Sequence, residues 1–203
     1  MDIVHYPHPA LRWKSRPITE INDDLRAIVR RMFELMYEHK GIGLAANQVG
    51  LPLRLFVINL TGESTEKEEE LVFINPEIVR RKGTFVGEEG CLSLPKLYGD
   101  VRRAEKIVVE AFDLEGQGFE VSVDELASRA IQHESDHLDG ILFPDRMSES
   151  GQRELAPAMS DFEALFRRQQ ELGTMPSDDE IKRKLKEWET RSPTAAELNV
   201  PMV

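Results

Sequence analysis

Two histidines stand four residues apart in the stretch Gln132-His133-Glu134-Ser135-Asp136-His137-Leu138. On a helix this spacing brings their Cβ atoms to about 5–6 Å on one face, which suits two ligands of one metal ion. Glu134 is rotated by about 100° from His133, near enough to act on a water at the metal without ligating it. The flanking residues predict such a helix. Ser122 and Glu125 have capping-box spacing, and Gly140 offers a stop. Leu126, Ala127, Ala130, Ile131 and Leu138 form an apolar stripe, opposite a polar side of Glu125, Ser128, Arg129, Gln132, Ser135 and Asp136. His133, Glu134 and His137 fall on the apolar stripe and should point inward. A buried glutamate between buried histidines is costly unless something pairs with it, and a metal with its water would do so.

HExxH alone leaves the third ligand open. The zinc-protease extension HExxHxxGxxH finds Gly140 at its glycine but Phe143 at its last histidine, so that version fails. A second protease pattern takes a later glutamate, for which Glu154 and Glu163 are candidates. The other histidines, His5, His8 and His39, lie upstream in settings with no ligand spacing. Cys91, the one cysteine, is the rival: a thiolate beside two imidazoles leaves one tetrahedral position for water. It sits in the odd mixture Gly87-Glu88-Glu89-Gly90-Cys91-Leu92-Ser93.

The elements around these residues follow from pattern. Leu25, Ile28, Val29, Met32, Leu35 and Met36 recur at helical spacing between Asp23 and His39, with Asn22 or Asp23 as cap. Gly41 to Gly50 lacks the dinucleotide glycine spacing and reads locally as a tight turn into a strand. Strands are expected at 54–60 and 71–75, with a turn at Asn75-Pro76 and further strand over 77–86. Lys106–Phe112 and Phe119–Val123 flank a hairpin turn. After Pro144 the chain becomes helical: Leu155, Met159, Phe162, Leu165 and Phe166 form one stripe. Ile181, Leu185 and Trp188 form another behind a Ser177–Glu180 capping box. Residues 191–203 should be loose. The predicted fold class is α+β: small, mostly antiparallel sheets around a central HExxH helix, plus C-terminal helices. The expected division is a catalytic domain over 1–148 and a helical extension over 149–203.

The whole chain bounds the function. Its 203 residues, 40% hydrophobic, fit a single globular domain with an appendage. A net charge of −11 argues against broad binding to nucleic-acid phosphates or anionic membranes. No apolar run approaches the roughly 20 residues of a bilayer span, and no signal pattern opens the chain, so the cytoplasm is the expected compartment.

Three blocks, Gly41-Ile42-Gly43-Leu44-Ala45-Ala46-Asn47-Gln48, Glu89-Gly90-Cys91-Leu92-Ser93 and Gln132 to Leu138, resemble the signature motifs of the peptide deformylase family, in the same order. The resemblance runs from about Val4 to Met147 and is closest to bacterial-type members. It implies a hydrolase that removes the formyl group from the formylmethionine of nascent polypeptides. It also implies Cys91, His133 and His137 as metal ligands and Glu134 as general base. Gln48 and the Leu92 N–H would be oxyanion donors, and Ile42, Gly43, Gly90 and Leu126 would contact substrate. The metal implied is one divalent ion, ferrous iron in the cell, with zinc, nickel or cobalt able to replace it. Glu89, Arg103 and Asp136 would form an ionic network behind the ligands, and Tyr98 and Arg129 would lie near the substrate pocket. Bacterial relatives use basic C-terminal residues for ribosome docking. Residues 151–203 carry 8 Lys and Arg against 10 Asp and Glu, so that feature does not transfer. The competing readings are an HExxH zinc endopeptidase and a non-catalytic, metal-binding ribosome-associated module.

Overall fold

Asn22 turns the chain into its first long helix by accepting a hydrogen bond from the Leu25 N–H, and α1 runs Asp23–Glu38. The apolar face of α1 covers one side of a five-stranded antiparallel sheet. Its strands are β1 (Gly43–Ala45), β2 (Leu55–Ile58), β3 (Leu71–Lys82), β6 (Lys106–Phe112) and β7 (Gly118–Asp124), in the order β1-β2-β3-β6-β7. A separate hairpin pairs β4 (Phe85–Cys91) with β5 (Leu94–Arg103). The HExxH segment lies in α2, Glu125–Leu138. These features come from a computed structural model, which describes residues 1–200.

Strand β2 shows why α2 is central. Leu55 and Val57 join the cluster beneath α1, whereas Phe56 and Ile58 join Ala130, Ile131 and Leu138 of α2 on the other face. Alternation with period two thus sandwiches one strand between two helices, and all four of its residues are buried. Phe56 and Phe73 stack with ring centroids 4.8 Å apart under α2, and each fully buried aromatic contributes about 1.5–3 kcal/mol. The β4–β5 hairpin covers α2 from the third side, with its own cluster around Leu94, Val101, Leu142 and Phe143. The α+β architecture around the HExxH helix is therefore as expected.

Three local expectations change. Asn75-Pro76 does not end a strand; β3 continues through a bulge there. Asn75, at φ 52°, pairs its side-chain amide with both backbone groups of Ile18, which holds the distortion in place. The Gly41–Gly50 block is strand β1 followed by a single 3₁₀ turn, Ala46–Val49. The segment after 190 is not loose over its described part. Ala195, Leu198 and Val200 enter the core beside α1, and the Ala195 N–H donates to Asp24. Those apolar residues hold a segment expected to be loose; residues 201–203 lie outside the described residues.

The C-terminal helices clasp the body. A short helix, α3 (Phe143–Arg146), leads into α4 (Glu149–Glu171), and α5 spans Asp178–Thr190 behind the expected Ser177–Glu180 capping box. Phe166, Ile181 and Leu185 close over Ala10 of the N-terminal strap, and Trp188 reaches the main core. No helix among the described residues is long and apolar enough to cross a membrane.

His8 sits inside this clasp, 9% exposed, with its ring edge-on to Phe166. Its Nδ1 accepts from the Ala10 N–H, a bond that only the unprotonated nitrogen can take. Burial lowers its pKa from 6.5 to about 4, with nearby Asp178 opposing. The unfolded chain therefore takes up this proton first as pH falls. The stabilisation is complete above 6.5 and drains away between 6.5 and 4, about 3 kcal/mol in all. Urea unfolding at pH 7 and pH 4 should show wild type losing about 3 kcal/mol more than His8→Gln. Equal losses would remove His8 as the cause.

Candidate metal centre

The strand β7 ends at Asp124, and Glu125 swings the chain into α2 with φ 46°. The predicted capping box does not form, because Ser122 is a strand residue paired opposite Val108. What fixes the helix is Gln132. Its Oε1 accepts from the Ala104 N–H at 3.0 Å while its Nε2 donates to the Ala104 carbonyl at 2.9 Å. The side-chain amide thus completes a backbone-like pairing with the link between β5 and β6, and the Ser128 hydroxyl donates to the same carbonyl. The side of α2 expected to be solvated is accordingly interior: Ser128, Arg129, Gln132 and Asp136 are all buried. Periodicity saw a polar face; the β4–β5 hairpin supplies the polar partners that let it be covered.

His133 and His137 project from α2 toward Cys91 at the end of β4. His137 Nε2 lies 3.3 Å from Cys91 Sγ and 3.3 Å from His133 Nε2. Ligand atoms of all three residues fall within 4.8 Å of one another. One thiol and two imidazoles converging this closely match the donor set of a divalent transition-metal site. Neither later glutamate competes: Glu163 accepts from the Tyr6 hydroxyl at 2.6 Å, and Glu154 is exposed on α4. Burial opposes charge on both imidazoles. Hydrogen bonds to Cys91 and Glu89 overcome it at His133, whose pKa is raised well above 6.5. His137 is lowered well below 6.5, by burial first and then by His133.

Glu134 is buried in the same wall, and its Oε2 has no hydrogen-bond partner among the described residues. Burial pushes its carboxyl up to about 7. A buried, unpaired carboxylate oxygen beside three converging metal donors fits a group that handles a proton at the metal. Gly43 has its reason here. A Cβ on it would lie 2.5 Å from Glu134 Oε1, so only glycine lets β1 pass over that carboxylate. Gln48 comes from the turn after β1. Its Oε1 accepts from the Ala45 N–H at 2.8 Å, leaving Nε2 aimed at Cys91 Sγ, 3.4 Å away. Asn47 fastens that turn to the strap by donating to the carbonyls of Ala10 and Trp13.

Behind the ligands, Glu89 accepts from Arg103 Nε at 2.8 Å and Nη2 at 2.9 Å, from Arg129 Nη1 at 2.7 Å, and from His133 Nδ1 at 2.9 Å. Burial alone would raise its pKa, but the bonds from Arg103 and His133 hold it well below the usual carboxylate range. Arg103 also pairs with Asp136, which pairs with Arg146. The network is interior rather than a set of surface pairs.

A cavity of about 720 Å³ opens over the centre, lined by Ile42, Gly43, Gln48, Gly90, Cys91, Leu92, Leu126, His133 and Glu134. Of the residues that the deformylase resemblance implies for ligation, catalysis or substrate contact, nine line this cavity, and His137, buried, does not. Leu126, expected on the inward stripe, is 52% exposed at the mouth. It faces the open cavity rather than the sheet. The lining also includes His5 and His39, which showed no ligand spacing in the sequence, and Lys40. Their only sequence signal was that His39 and Lys40 directly precede the Gly41–Gln48 block.

A family model for polypeptide deformylase matches residues 1–153. A peptide deformylase of Rhodopirellula baltica is 43% identical over 189 residues, covering 93% of this chain and 94% of that protein. One from Acidobacterium capsulatum is 54% identical over 146 residues, 72% of this chain and 85% of that protein. A crystal structure of the Plasmodium falciparum peptide deformylase superposes with a TM-score of 0.80 at 38% identity, over 82% of this chain and 98% of the other. The motif blocks, the ligand cluster and the fold agree with these matches, and the chain belongs to the polypeptide deformylase family.

Proposed function

We propose that this protein is a metal-dependent, cytoplasmic peptide deformylase that hydrolyses the N-formyl group of nascent formylmethionyl polypeptides to formate and a free amine. The observation that carries the reading is the convergence of Cys91, His133 and His137 beside the unpaired Oε2 of Glu134. Those three residues would hold a divalent ion, which when bound lowers the pKa of a water and polarises a carbonyl oxygen. Glu134 Oε2 takes a proton from the attacking water and passes it to the methionine nitrogen as the C–N bond breaks. Gln48 Nε2 and the Leu92 N–H donate to the oxygen that gains charge, and loss of one such donor typically costs about 2.7–4 kcal/mol.

Strand β1 is an edge of its sheet, paired among the described residues only with β2, so its other edge can take an extended peptide by strand addition. Ile42 and Gly43 lie along that edge and Gly90 across the cavity, with Leu126 at the mouth to meet the methionine side chain. Residues 1–148 carry the chemistry, and the described part of the 149–203 extension packs on the segment around Ala10 that backs the Gln48 turn. The cavity rather than the acidic extension is the surface that meets chains leaving the ribosome.

The test is hydrolysis of formyl-Met-Ala-Ser, with formate, free amine and metal content read on one sample. Cleavage of internal peptide bonds without formate would overturn the reading in favour of an endopeptidase. Ferrous iron is the physiological ion in this proposal, and a thiolate beside it exposes the centre to oxidation. Iron-loaded protein should therefore lose activity in air faster than nickel-loaded protein. Equal lifetimes would count against iron.

A further inference from the structure

Arg129 stands one helical turn before His133 on α2 and retains 7% of its surface. Although it borders the cavity, its guanidinium is committed elsewhere. Nη1 donates to Glu89 Oε1 at 2.7 Å and to the carbonyls of Gly87 and Val101 at 3.2 and 3.1 Å. Nη2 reaches the Phe85 carbonyl at 3.4 Å, and the Phe85 ring covers the group with its centroid 4.5 Å from Cζ. Gly87 makes room for it: a Cβ there would lie 3.0 Å from Arg129 Nη2.

The two oxygens of Glu89 are thus gripped by residues of one helix, four positions apart. Arg129 holds Oε1 and His133 holds Oε2. Arg103 forks onto both oxygens from β5 of the same hairpin and reaches α2 through Asp136, beyond His133, whereas Arg129 binds Glu89 itself from the turn before His133. The bond from Arg129 ties the carboxylate to the helix that carries His133. That sets the plane in which Glu89 meets His133 Nδ1, and with it the direction of Nε2 toward Cys91 and His137. We propose that Arg129 is a positioning residue of the metal centre, acting through Glu89 to orient His133, and not a wall that reads the substrate side chain.

The inference rests on the metal-site reading above, and its test separates the two. Nickel-loaded wild type, Arg129→Met and Arg129→Lys are mixed with excess chelator, and nickel release is followed alongside kcat and KM for formyl-Met-Ala-Ser. Arg129→Met should release nickel about 10–100-fold faster, the range for partners one layer behind ligands, with kcat lowered and KM unchanged. Arg129→Lys, which keeps one charged donor toward Glu89, should recover part of the loss. Unchanged nickel release with a raised KM would make Arg129 a substrate contact and overturn the proposal. Unchanged release with only a lower Tm would reduce it to hairpin packing and overturn it equally. Should Arg129→Met fail to fold, Arg129→Lys alone still decides, because its nickel release must lie above wild type. Absence of hydrolysis in wild type would sink the deformylase reading while leaving the nickel comparison intact.

Discussion

Glu134→Gln should lower kcat by about 10²–10⁴-fold, the span attributed to a positioned general acid–base, while nickel or zinc content stays at the wild-type ratio. The separation of effects follows from the geometry. Glu134 is outside the ligand cluster of Cys91, His133 and His137, so neutralising it removes a proton carrier without removing a donor to the ion. KM should barely move, since in the proposed mechanism the carboxylate acts on the reacting water and amine rather than on the methionine side chain. Stability moves the opposite way to activity. Oε2 is buried without a partner, and a neutral amide of the same shape relieves the desolvation of a charge there. Glu134→Gln should unfold at a urea concentration equal to or above that of wild type. Formate release, metal analysis and a urea titration on one preparation read all three quantities. Substantial hydrolysis by the metal-loaded variant would falsify the assigned base.

The legible parts of this protein were those in which one element states its own partner. The stripe from Leu25 to Met36 buries against a sheet in the ordinary way, and α1 runs where that stripe placed it. The hairpin of β6 and β7 follows from alternating residues about a glycine-rich turn. The ligand pair was legible because HExxH falls on the apolar side of α2, and Cys91 was legible because a lone cysteine in a glycine-flanked turn needed a reason. The polar face of α2 was not. Periodicity describes one helix against one surface, whereas α2 is enclosed by the sheet on one side and the β4–β5 hairpin on another. Arg129, Gln132 and Asp136 are buried because residues distant in sequence, at 89, 103 and 104, bring complementary charges and backbone groups. No window of the sequence contains both halves of those bonds. The glycine at 43 was similar. Its block read locally as a tight turn into a strand, and only the fold identified Glu134 as the group that passes close to it. The last described residues failed for the reverse reason. Ala195, Leu198 and Val200 are too few to form a pattern, yet each finds a place in a core already built by α1.

Cys91→Ala should abolish stoichiometric metal binding while leaving the fold intact. The thiol is one of the three proposed ligands, so its loss should exceed the about 10–100-fold weakening typical of a partner one layer further out. Little else depends on the side chain. It lies at the end of β4, the hairpin being held along its length by the pairs from Phe85↔Arg103 to Gly90↔Tyr98. Circular dichroism and Tm should therefore stay near wild type, and metal per chain after dialysis is the informative number. The substitution also decides between the two enzyme classes that share HExxH. An endopeptidase drawing its third ligand from a later helix would keep its metal without Cys91. Here Glu163 is engaged by the Tyr6 hydroxyl and Glu154 faces solvent on α4, so neither can swing in without unseating the clasp. Cys91→Ser sharpens the comparison. A neutral hydroxyl is a poorer ligand than a thiolate for a borderline-soft ion such as zinc, so metal retention should fall between those of wild type and Cys91→Ala. Full retention by Cys91→Ala would move the third ligand elsewhere and with it the open position at which Glu134 is placed to work.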